Sequence, residues 1–271
     1  MKKKRVITLL LIIIMLVLLL WLGNKHLTVT NYNYSNSKIP QTFDGYRIIQ
    51  ISDLHNASFG KDNRKLLKKI ENLQPDVIFL TGDIVDANHT DVEVALSFVK
   101  EVVNISEVYY ITGNHENWLD ESTKTNLISQ MQSYGVKCLA NEVATITRDG
   151  EDITVIGLND ENLADATLAN IVAENDSDAL SILLAHEPQY MDYYAGKADL
   201  IFSGHAHGGQ VRLLFIGGMV APDQGFFPKY TEGEHVTGSS TMIISRGLGN
   251  SIIPLRIGNP PEIVCVDLQA E

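Results

Sequence analysis

Five short apolar runs in this chain each end in a residue whose side chain can bind a metal ion. Runs of this length and composition are typical of buried β-strands. The runs and the residues that end them are Tyr46 to Ser52 with Asp53 and His55, Asp76 to Gly82 with Asp83, Val108 to Gly113 with Asn114 and His115, Ala179 to Ala185 with His186, and Ala198 to Phe202 with His205 and His207 beyond Gly204. Because ligand sites of open α/β sheets form at the carboxyl ends of the strands, we expect these side chains to meet.

Each of these residues also has an ordinary structural explanation when it is considered alone. Asp83 is able to cap a helix, Asn114 to form a turn, and His186 to be a buried, hydrogen-bonded ring. His205 and His207, on a glycine-rich bend, are equally consistent with surface histidines. It is improbable that all of these explanations hold at once, so the pattern favours a metal site.

The spacing of apolar residues between the first three runs predicts helices. Lys61 to Leu73 has helical periodicity and is stopped by Pro75, Asp91 to Val103 is amphipathic, and a further helix is expected between Asn117 and Tyr134. Alternation of strands and helices predicts a parallel sheet with right-handed crossovers.

After Gly135 the pattern changes to consecutive strands. We expect strands at Val136 to Ala140, Val143 to Arg148 and Ile153 to Leu158, the last two joined by a turn at Asp149-Gly150. Such neighbours favour antiparallel pairing and therefore a mixed or second sheet. Later elements are helices at Leu163 to Ala173 and Pro188 to Ala195, and strands near Met242 to Ser245 and Ile263 to Leu268.

The amino terminus predicts a membrane anchor. Residues 1–5 are basic, and residues 6–22 are apolar with Thr8 as the one polar interruption. A length of 17 residues is at the lower end of what spans a bilayer. A cleaved signal peptide starts in the same way, but a small-residue cleavage site is missing here, and Trp21 suits a membrane interface. We expect an uncleaved anchor, a tether at 23–45 and a domain at 46–271 that faces outside the cytoplasmic membrane, because the basic flank stays inside.

The composition of the body excludes some functions. From residue 6 onward, 33 acidic residues face 17 basic ones, so the basic face that nucleic acid requires is missing. A phosphate ester can still bind where metal ions supply positive charge. Cys138 and Cys265 are the only cysteines, which excludes a disulfide scaffold and a thiolate metal site.

These blocks resemble the calcineurin-like metallophosphoesterase superfamily. The resemblance rests on Asp53-Leu-His55, Gly82-Asp83, Gly113-Asn114-His115-Glu116, His186 and Gly204-His205-Ala206-His207, in that order, and extends from about residue 46 to 267. It implies an α/β fold in which two mixed sheets, flanked by helices, form a four-layer α-β-β-α sandwich. It also implies a phosphoester substrate and two divalent metal ions.

The resemblance further implies which residues bind each ion. One ion is expected on Asp53, His55, Asp83 and His207, and the other on Asp83, Asn114, His186 and His205. A carboxylate has two oxygens, so Asp83 is able to bridge ions about 3.5–4 Å apart. Nitrogen and oxygen ligands without thiolate suit Mn²⁺, Fe or Zn²⁺.

The mechanism implied by this resemblance is in-line attack on phosphorus by a hydroxide that bridges the two ions. His115 binds no metal in this scheme and is expected to protonate the leaving oxygen or to stabilise the developing charge. Its structural alternative is a ring that only orients Asn114 or packs the loop. Arg212 and Arg246 are candidates for binding a second phosphate or a head group. The alternative for each is a surface salt bridge.

A narrower resemblance to bacterial membrane-associated members, including lipid head-group hydrolases, rests on residues 208–210, 229–230, 245–249 and 260–262. The apolar segment Val211 to Tyr230 is expected either to accept acyl chains or touch the bilayer, or to pack in part as an edge strand. We therefore expect hydrolysis of a phosphodiester or pyrophosphate of a lipid or cell-envelope metabolite. The alternatives are a nucleotide or cyclic-nucleotide phosphodiesterase and a non-catalytic interaction module.

Overall fold

Most of the predicted strands pair into two six-stranded sheets in the computed structural model of the chain. The structure describes residues 2–159, 167–175, 178–250 and 255–271. The helices are α1 (Lys2–Lys25), α2 (Arg64–Leu73), α3 (Val92–Val102), α4 (Asn114–Asn117), α5 (Glu121–Ser133), α6 (Thr167–Glu174) and α7 (Met191–Tyr194). The strands are β1 (Thr28–Asn36), β2 (Arg47–Ile51), β3 (Val77–Thr81), β4 (Glu107–Ile111), β5 (Lys137–Cys138), β6 (Glu142–Arg148), β7 (Glu151–Gly157), β8 (Ser181–Leu184), β9 (Leu200–Ser203), β10 (Arg212–Leu213), β11 (Gly217–Gly218), β12 (Val220–Ala221), β13 (Gly225–Phe226), β14 (Gly233–Thr237), β15 (Ser240–Ile244) and β16 (Glu262–Ala270).

Both large sheets are mixed. The first has the strand order β1-β16-β2-β3-β4-β5, in which β2 to β5 are parallel and β16 is antiparallel to β2. The second has the order β14-β15-β9-β8-β7-β6, in which four parallel strands are flanked by antiparallel β14 and β6. The ends of β2, β3, β4, β8 and β9 that carry the predicted ligands are all carboxyl ends, so parallel pairing places them at one edge of each sheet.

Three apolar interfaces hold the layers together. One lies between the first sheet and α2, α3 and α5, and includes Ile70 and Phe98. The second lies between the two sheets, where the ring of Phe79 contacts Phe202 at a centroid distance of 5.4 Å. The third lies outside the second sheet against α6 and α7. Sheets covered on both faces require strands that are apolar throughout, as β3 is. The four-layer sandwich expected from the sequence is confirmed.

The strand predictions differ from the structure in several places. The run Val136 to Ala140 yields only the two residues of β5, which pair in parallel with β4 in the first sheet. The antiparallel hairpin of β6 and β7 is present with its turn at Asp149-Gly150. β14 was not expected, because it alternates half-buried and exposed residues at the edge of its sheet and contains no apolar run. Of the predicted helix Leu163 to Ala173, residues 163–166 lie outside the described part of the chain, and α6 (Thr167–Glu174) contains the rest.

The predicted tether at 23–45 contains a strand of the domain. β1 pairs in parallel with β16 along its whole length at the edge of the first sheet. An edge strand keeps one side in solvent, and in β1 only Tyr34 is buried, so its polar sequence resembled a linker. The folded domain therefore begins at Thr28, and only His26 and Leu27 separate it from α1.

The helix α1 is long and apolar enough to cross a membrane, the only such helix in the described part of the chain. Its apolar side chains that the structure describes are largely exposed.

Candidate metal centre

Seven polar side chains from the five strand ends meet at one edge of the two sheets, and all seven are buried. The candidate ligand atoms of Asp53, His55 and His207 lie within 4.8 Å of one another, and those of Asp83, His186 and His205 form a second such group. These two trios, together with Asn114, are the ligands predicted for the two ions. Binding of metal by them stays a prediction.

In the first trio, polar atoms of three side chains converge in a buried volume. His55 Nε2 lies 3.2 Å from His207 Nε2. His207 Nε2 lies 3.5 Å from Asp53 Oδ1. The other oxygen of this carboxylate, Asp53 Oδ2, is buried without a hydrogen-bond partner.

In the second trio, the side-chain oxygen of Asn114 lies between two imidazoles. Asn114 Oδ1 is 2.8 Å from His205 Nδ1 and 3.2 Å from His186 Nε2. An amide oxygen and neutral imidazole nitrogens are both metal ligands, and this arrangement leaves their lone pairs pointing at a common volume.

Asp83, a member of the second trio, also contacts the first. Its Oδ2 is 3.4 Å from His55 Nε2 and 3.3 Å from His186 Nε2. Its other oxygen, Oδ1, accepts a hydrogen bond of 2.8 Å from the backbone N–H of His115. Asp83 therefore has the position that a carboxylate shared by two ions requires.

The loops that carry the ligands are held in left-handed backbone conformations. Asp53, His55, Asp83, His205 and His207 have φ angles of 51°, 43°, 53°, 64° and 47°. Such angles are uncommon for residues other than glycine, and each costs of order 1–3 kcal/mol, which the surrounding structure must offset. The clustering of five at one site is typical of functional loops.

Two glycines let these loops pack against each other. A Cβ atom added at Gly204 would lie 1.9 Å from Ser52 Oγ, and one added at Gly113 would lie 2.3 Å from Asp83 Oδ1. Larger residues at either position would push the ligand loops apart. The glycines that precede the ligands in the sequence therefore have a packing role.

Glu116 holds the loops after β3 and β4 together. Its carboxylate is fully buried and accepts hydrogen bonds from the backbone N–H groups of Asp83 and Gly113, both at 2.8 Å, and of Val85 at 3.0 Å. Burial, and then the charge of Asp83, raise the pKa of Glu116 to about 7, while these N–H donors act in the opposite direction. Glu116 belongs to the block Gly113-Asn114-His115-Glu116, but nothing in the sequence indicates this role.

Three of the imidazoles make a further contact through the nitrogen that faces away from the trios. His186 Nδ1 lies 2.7 Å from the carbonyl oxygen of Thr81, and His205 Nε2 lies 3.0 Å from Asp223 Oδ2. His207 Nδ1 lies 3.2 Å from Nη2 of Arg256. The carbonyl and the carboxylate can accept a hydrogen bond from the imidazole and so fix the orientation of a metal-binding histidine, whereas the guanidinium of Arg256 can only donate to His207 Nδ1.

Burial determines the protonation of the site. It lowers the pKa of His55 to about 3 and that of His205 to about 4. It raises the pKa of Asp53 to about 6. Burial opposes ionisation of Asp83 as well, but the neighbouring His186 and His55 hold the pKa of that carboxyl below its usual value. At neutral pH, His55, His205 and His207 are therefore neutral, and the carboxylates of Asp53 and Asp83 are negative.

This donor set fits divalent cations. A carboxylate oxygen of Asp53 that is buried without a partner is costly unless a cation is present, and the imidazole nitrogens and amide oxygen around it are further possible ligands. A mixture of imidazole, carboxylate and amide ligands without thiolate is suited to Mn²⁺, Fe or Zn²⁺. Each of the two trios is able to hold one such ion.

His115 lies beside the first trio. It is buried, and its ring packs edge-on against His55 at a centroid distance of 4.4 Å and against Trp118 at 4.7 Å. The backbone N–H of Ala87 donates to His115 Nδ1 at 3.1 Å, and Asp86 Oδ1 lies 3.3 Å from the same nitrogen. A neutral ring that accepts at Nδ1 carries its proton on Nε2.

Arg212 and Arg246 lie behind the ligand loop. Arg212 pairs with Glu232 and donates to the carbonyl oxygen of Gly208 at 2.8 Å. Arg246 pairs with Glu262 at 2.9 Å and lies 3.5 Å from Glu232. These contacts match the salt-bridge alternative. The binding of substrate by either arginine stays a prediction.

Three residues near the centre were missed in the sequence. Asp86 contacts His115, Asp223 contacts His205, and Arg256 is fully buried behind His207. Arg256 also donates to the carbonyl oxygens of Arg246 and Gly249, at 2.7 Å and 2.6 Å. None of the three ends one of the five predicted buried strands, so the pattern that marks the ligands does not mark them.

Comparison with known proteins finds one family. The profile of the calcineurin-like phosphoesterase family matches residues 46–209. That range contains all seven predicted ligands and His115. Arg212, Arg246, Asp223 and Arg256 lie beyond it.

Three curated relatives are similar to most of this chain. The uncharacterized metallophosphoesterase YkuE of Bacillus subtilis (strain 168) is 31% identical, with 90% of this chain and 86% of the relative covered. The transmembrane protein with metallophosphoesterase domain of Bos taurus is 27% identical, with 89% of this chain and 57% of the relative covered. The phosphodiesterase YaeI of Escherichia coli (strain K12) is 25% identical, with 82% of each chain covered.

One solved structure has a similar fold. A dimetal phosphatase from Danio rerio superposes with a TM-score of 0.50 at 11% identity, covering 76% of this chain and 88% of that chain. At this identity the likeness concerns the fold alone.

We expect Asp83→Asn to lower metal content most strongly, because this change removes a negative charge that lies within 3.4 Å of imidazoles from both trios. The loss of affinity for Mn²⁺ should be at least about 100-fold, since changes even to the partners of metal ligands cost 10–100-fold. Metal per chain is measured by elemental analysis after dialysis. Asp149→Asn, in the β6–β7 turn away from the site, is the matched control. Equal metal content in the two variants would contradict the assignment.

We also expect metal affinity to fall as the pH drops below about 6, because Asp53, with its pKa raised to about 6, must lose a proton before it binds a cation. His55 and His205, with pKa values lowered to about 3 and about 4, are already neutral there. Calorimetric titration with Mn²⁺ in buffers of different ionisation enthalpy should find about one proton released near pH 5.5 and almost none near pH 7.5. Constant proton release across this range would argue against the prediction.

Proposed function

The chain belongs to the calcineurin-like phosphoesterase family, and from this premise we propose that it hydrolyses a phosphodiester or a pyrophosphate of a lipid or cell-envelope metabolite at a membrane. That it is a metal-dependent phosphoester hydrolase follows from the family itself. The bond, the substrate class and the location are the proposal.

The observation that supports the mechanism most directly is the position of Asp83 Oδ2, within 3.4 Å of His55 Nε2 and 3.3 Å of His186 Nε2. Two divalent ions, when bound, would lower the pKa of water and neutralise phosphoryl oxygens. Asp53, His55, Asp83 and His207 would hold one ion, and Asp83, Asn114, His186 and His205 the other. The positive charge of two divalent ions would exceed the negative charge of the Asp53 and Asp83 carboxylates. The loaded site would therefore be net positive, which favours an anionic ester in an otherwise acidic protein.

His115 supplies the proton-transfer group of the proposal. The protonated ring would transfer its Nε2 proton to a leaving oxygen, and the carboxylate of Asp86, with Oδ1 3.3 Å from Nδ1, would stabilise the charge of that ring. Its ring packs against His55, so it lies next to the site without being needed as a ligand. General acid catalysis of this kind contributes typically 10²–10⁴-fold.

The membrane location rests on α1. Its apolar side chains face outward from the domain, and the relative from Bos taurus is named as a transmembrane protein. The basic residues at its amino terminus would stay in the cytoplasm, so the domain would lie outside a bacterial cytoplasmic membrane as a single-pass protein.

A nucleotide or cyclic-nucleotide phosphodiesterase is the second candidate. The name of the relative YaeI, a phosphodiesterase, favours a diester bond but suits both candidates. Long nucleic acids are disfavoured because 33 acidic residues outnumber 21 basic ones in the chain. A non-catalytic module is disfavoured because every predicted ligand is present and buried at the site.

The substrate class is tested with full-length protein in nanodiscs loaded with Mn²⁺. We expect bis-p-nitrophenyl phosphate to be cleaved faster than p-nitrophenyl phosphate, and phosphoester lipids faster than cyclic nucleotides. Asp83→Asn is the control for contaminating activity. Faster turnover of cyclic nucleotides than of any lipid would favour the second candidate, and no turnover by the metal-loaded protein would contradict both.

We expect His115→Ala to reduce kcat on bis-p-nitrophenyl phosphate by about 10²-fold while metal content stays unchanged, because the ring acts on the leaving group rather than on the ions. The reduction should be smaller for esters with better leaving groups, which need less protonation. His235→Ala, outside the site, is the matched control. Unchanged kcat in His115→Ala with full metal content would assign His115 to loop packing.

A further inference from the structure

Two small hairpins that follow the ligand loop carry an exposed apolar surface. They are formed by β10 with β11 and by β12 with β13, and we refer to residues 212–227 as the apolar hairpins. Leu214 is 85% exposed, Phe226 is 79% exposed, and Phe215 is fully exposed. Contiguous exposed residues of this size mark an interaction surface rather than ordinary solvent-facing structure.

The apolar hairpins connect directly to the segment at the end of α1. The backbone N–H of Arg212 donates to the carbonyl oxygen of Ile257 at 2.8 Å. The neighbouring Arg256 N–H donates to Asn24 Oδ1 at 3.3 Å. A Cβ atom added at Gly23 would lie 2.1 Å from the carbonyl oxygen of Arg256, so the helix end and this segment are in close contact. Leu255 and Ile257, on either side of Arg256, are themselves exposed and extend the apolar surface towards α1.

The direction in which α1 leaves the domain is restricted by these contacts. Only His26 and Leu27 separate α1 from β1, which is paired along its whole length with β16. Asn24 also accepts a hydrogen bond from Asn250 Nδ2 at 2.7 Å. A bilayer crossed by α1 would therefore meet the domain at this face, next to the apolar hairpins.

A basic cavity borders the same helix end. Its volume is about 620 Å³, and its lining includes Lys25, Lys65 and Lys69 but no acidic residue. The described partners of two of these ammonium groups are backbone carbonyl oxygens, since Lys69 donates to Leu27 at 2.9 Å and Lys25 to Ser58 at 3.3 Å. In a chain with 33 acidic residues this cavity is complementary to negative charge, as the surface of an anionic bilayer provides.

The apolar hairpins also touch the metal centre. Asp223, in the turn between β12 and β13, lies 3.0 Å from His205 Nε2. The backbone N–H of Met219 donates to the carbonyl oxygen of Gly209, next to the ligand loop, at 3.1 Å. A surface in contact with lipid at the hairpins would thus lie beside the site of hydrolysis.

We propose that the apolar hairpins lie in the interfacial layer of the anionic bilayer that α1 crosses, so that the metal centre faces lipid. This inference rests on the proposed membrane location and deepens the proposed function, because a substrate would reach the site from the bilayer. Leu214, Phe215, Phe226 and Phe227 enter the acyl boundary, and the lysines of the basic cavity contact phosphate head groups. A second copy of this chain covering the same surface is the competing occupant.

The test measures contact of one hairpin residue with acyl chains. Full-length Phe215→Trp is placed in nanodiscs whose phosphatidylglycerol has brominated acyl chains, which quench tryptophan on contact. We expect its emission, after subtraction of the parent signal from Trp21 and Trp118, to be strongly quenched. Thr147→Trp is the matched control, because Thr147 pairs with Asp152 at the amino-terminal end of β7, opposite the ligand-bearing strand ends.

The outcomes separate the two occupants. Quenching of Phe215→Trp well above that of Thr147→Trp supports docking on the bilayer. Equal, weak quenching overturns it, and so does unquenched, blue-shifted emission that depends on protein concentration, which is the signature of a second copy.

A comparison of anionic with zwitterionic lipid tests whether the head-group charge contributes to docking. Quenching of Phe215→Trp should be weaker in brominated phosphatidylcholine than in brominated phosphatidylglycerol. Lys65→Gln combined with Lys69→Gln should remove most of this difference, whereas Lys124→Gln on α5 should not. If Phe215→Trp with Lys65 and Lys69 unchanged is quenched equally in the two lipids, the basic cavity is not a head-group site.

Hydrolysis of bis-p-nitrophenyl phosphate in the same samples keeps the two proposals distinguishable. Activity with no quenching of Phe215→Trp would retain the proposed chemistry and overturn the docking. Quenching without activity in the metal-loaded parent would retain the docking and overturn the proposed function.

Discussion

The contact of Asp83 with two groups of imidazoles is the constraint on which the rest of the structure depends. One carboxylate oxygen lies 3.4 Å from His55 and 3.3 Å from His186, which come from different sheets. This geometry exists only because β3 and β8 end at the same edge of the sandwich, and the inter-sheet core with Phe79 and Phe202 keeps the two sheets in register. The burial that lowers the pKa of His55 and His205 follows from the same packing, so the fold produces neutral imidazoles next to the negative Asp83.

Strain in the ligand loops is offset by a network of backbone contacts. Glu116 accepts three N–H groups from the loops after β3 and β4, and glycines such as Gly113 and Gly204 leave room for neighbouring ligands. The imidazole nitrogens that face away from the trios are engaged by Thr81, Asp223 and Arg256. Two of these partners belong to segments that also form the face beside α1, so the metal centre and the proposed bilayer surface share structural elements.

The sequence predicts most of the site and less of its surroundings. Buried strands that end in Asp, Asn or His can be read from local composition, because each strand is apolar throughout and its polar end is abrupt. β1 and β14 cannot be predicted in this way, because edge strands keep one side in solvent and therefore contain polar residues, such as those around Tyr34. Arg256 and Asp223 contact histidines that are 49 and 18 residues away along the chain, and only the tertiary fold brings them together. The left-handed conformations of Asp53 and His207 likewise have no signature in residue type.

Anomalous diffraction from crystals soaked in Mn²⁺ tests the central claim most directly. The account predicts two manganese peaks about 3.5–4 Å apart, on either side of Asp83, one within ligand distance of His55 and His207 and the other within ligand distance of His186 and His205. A single peak that does not contact Asp83, or no peak among these side chains, would contradict it.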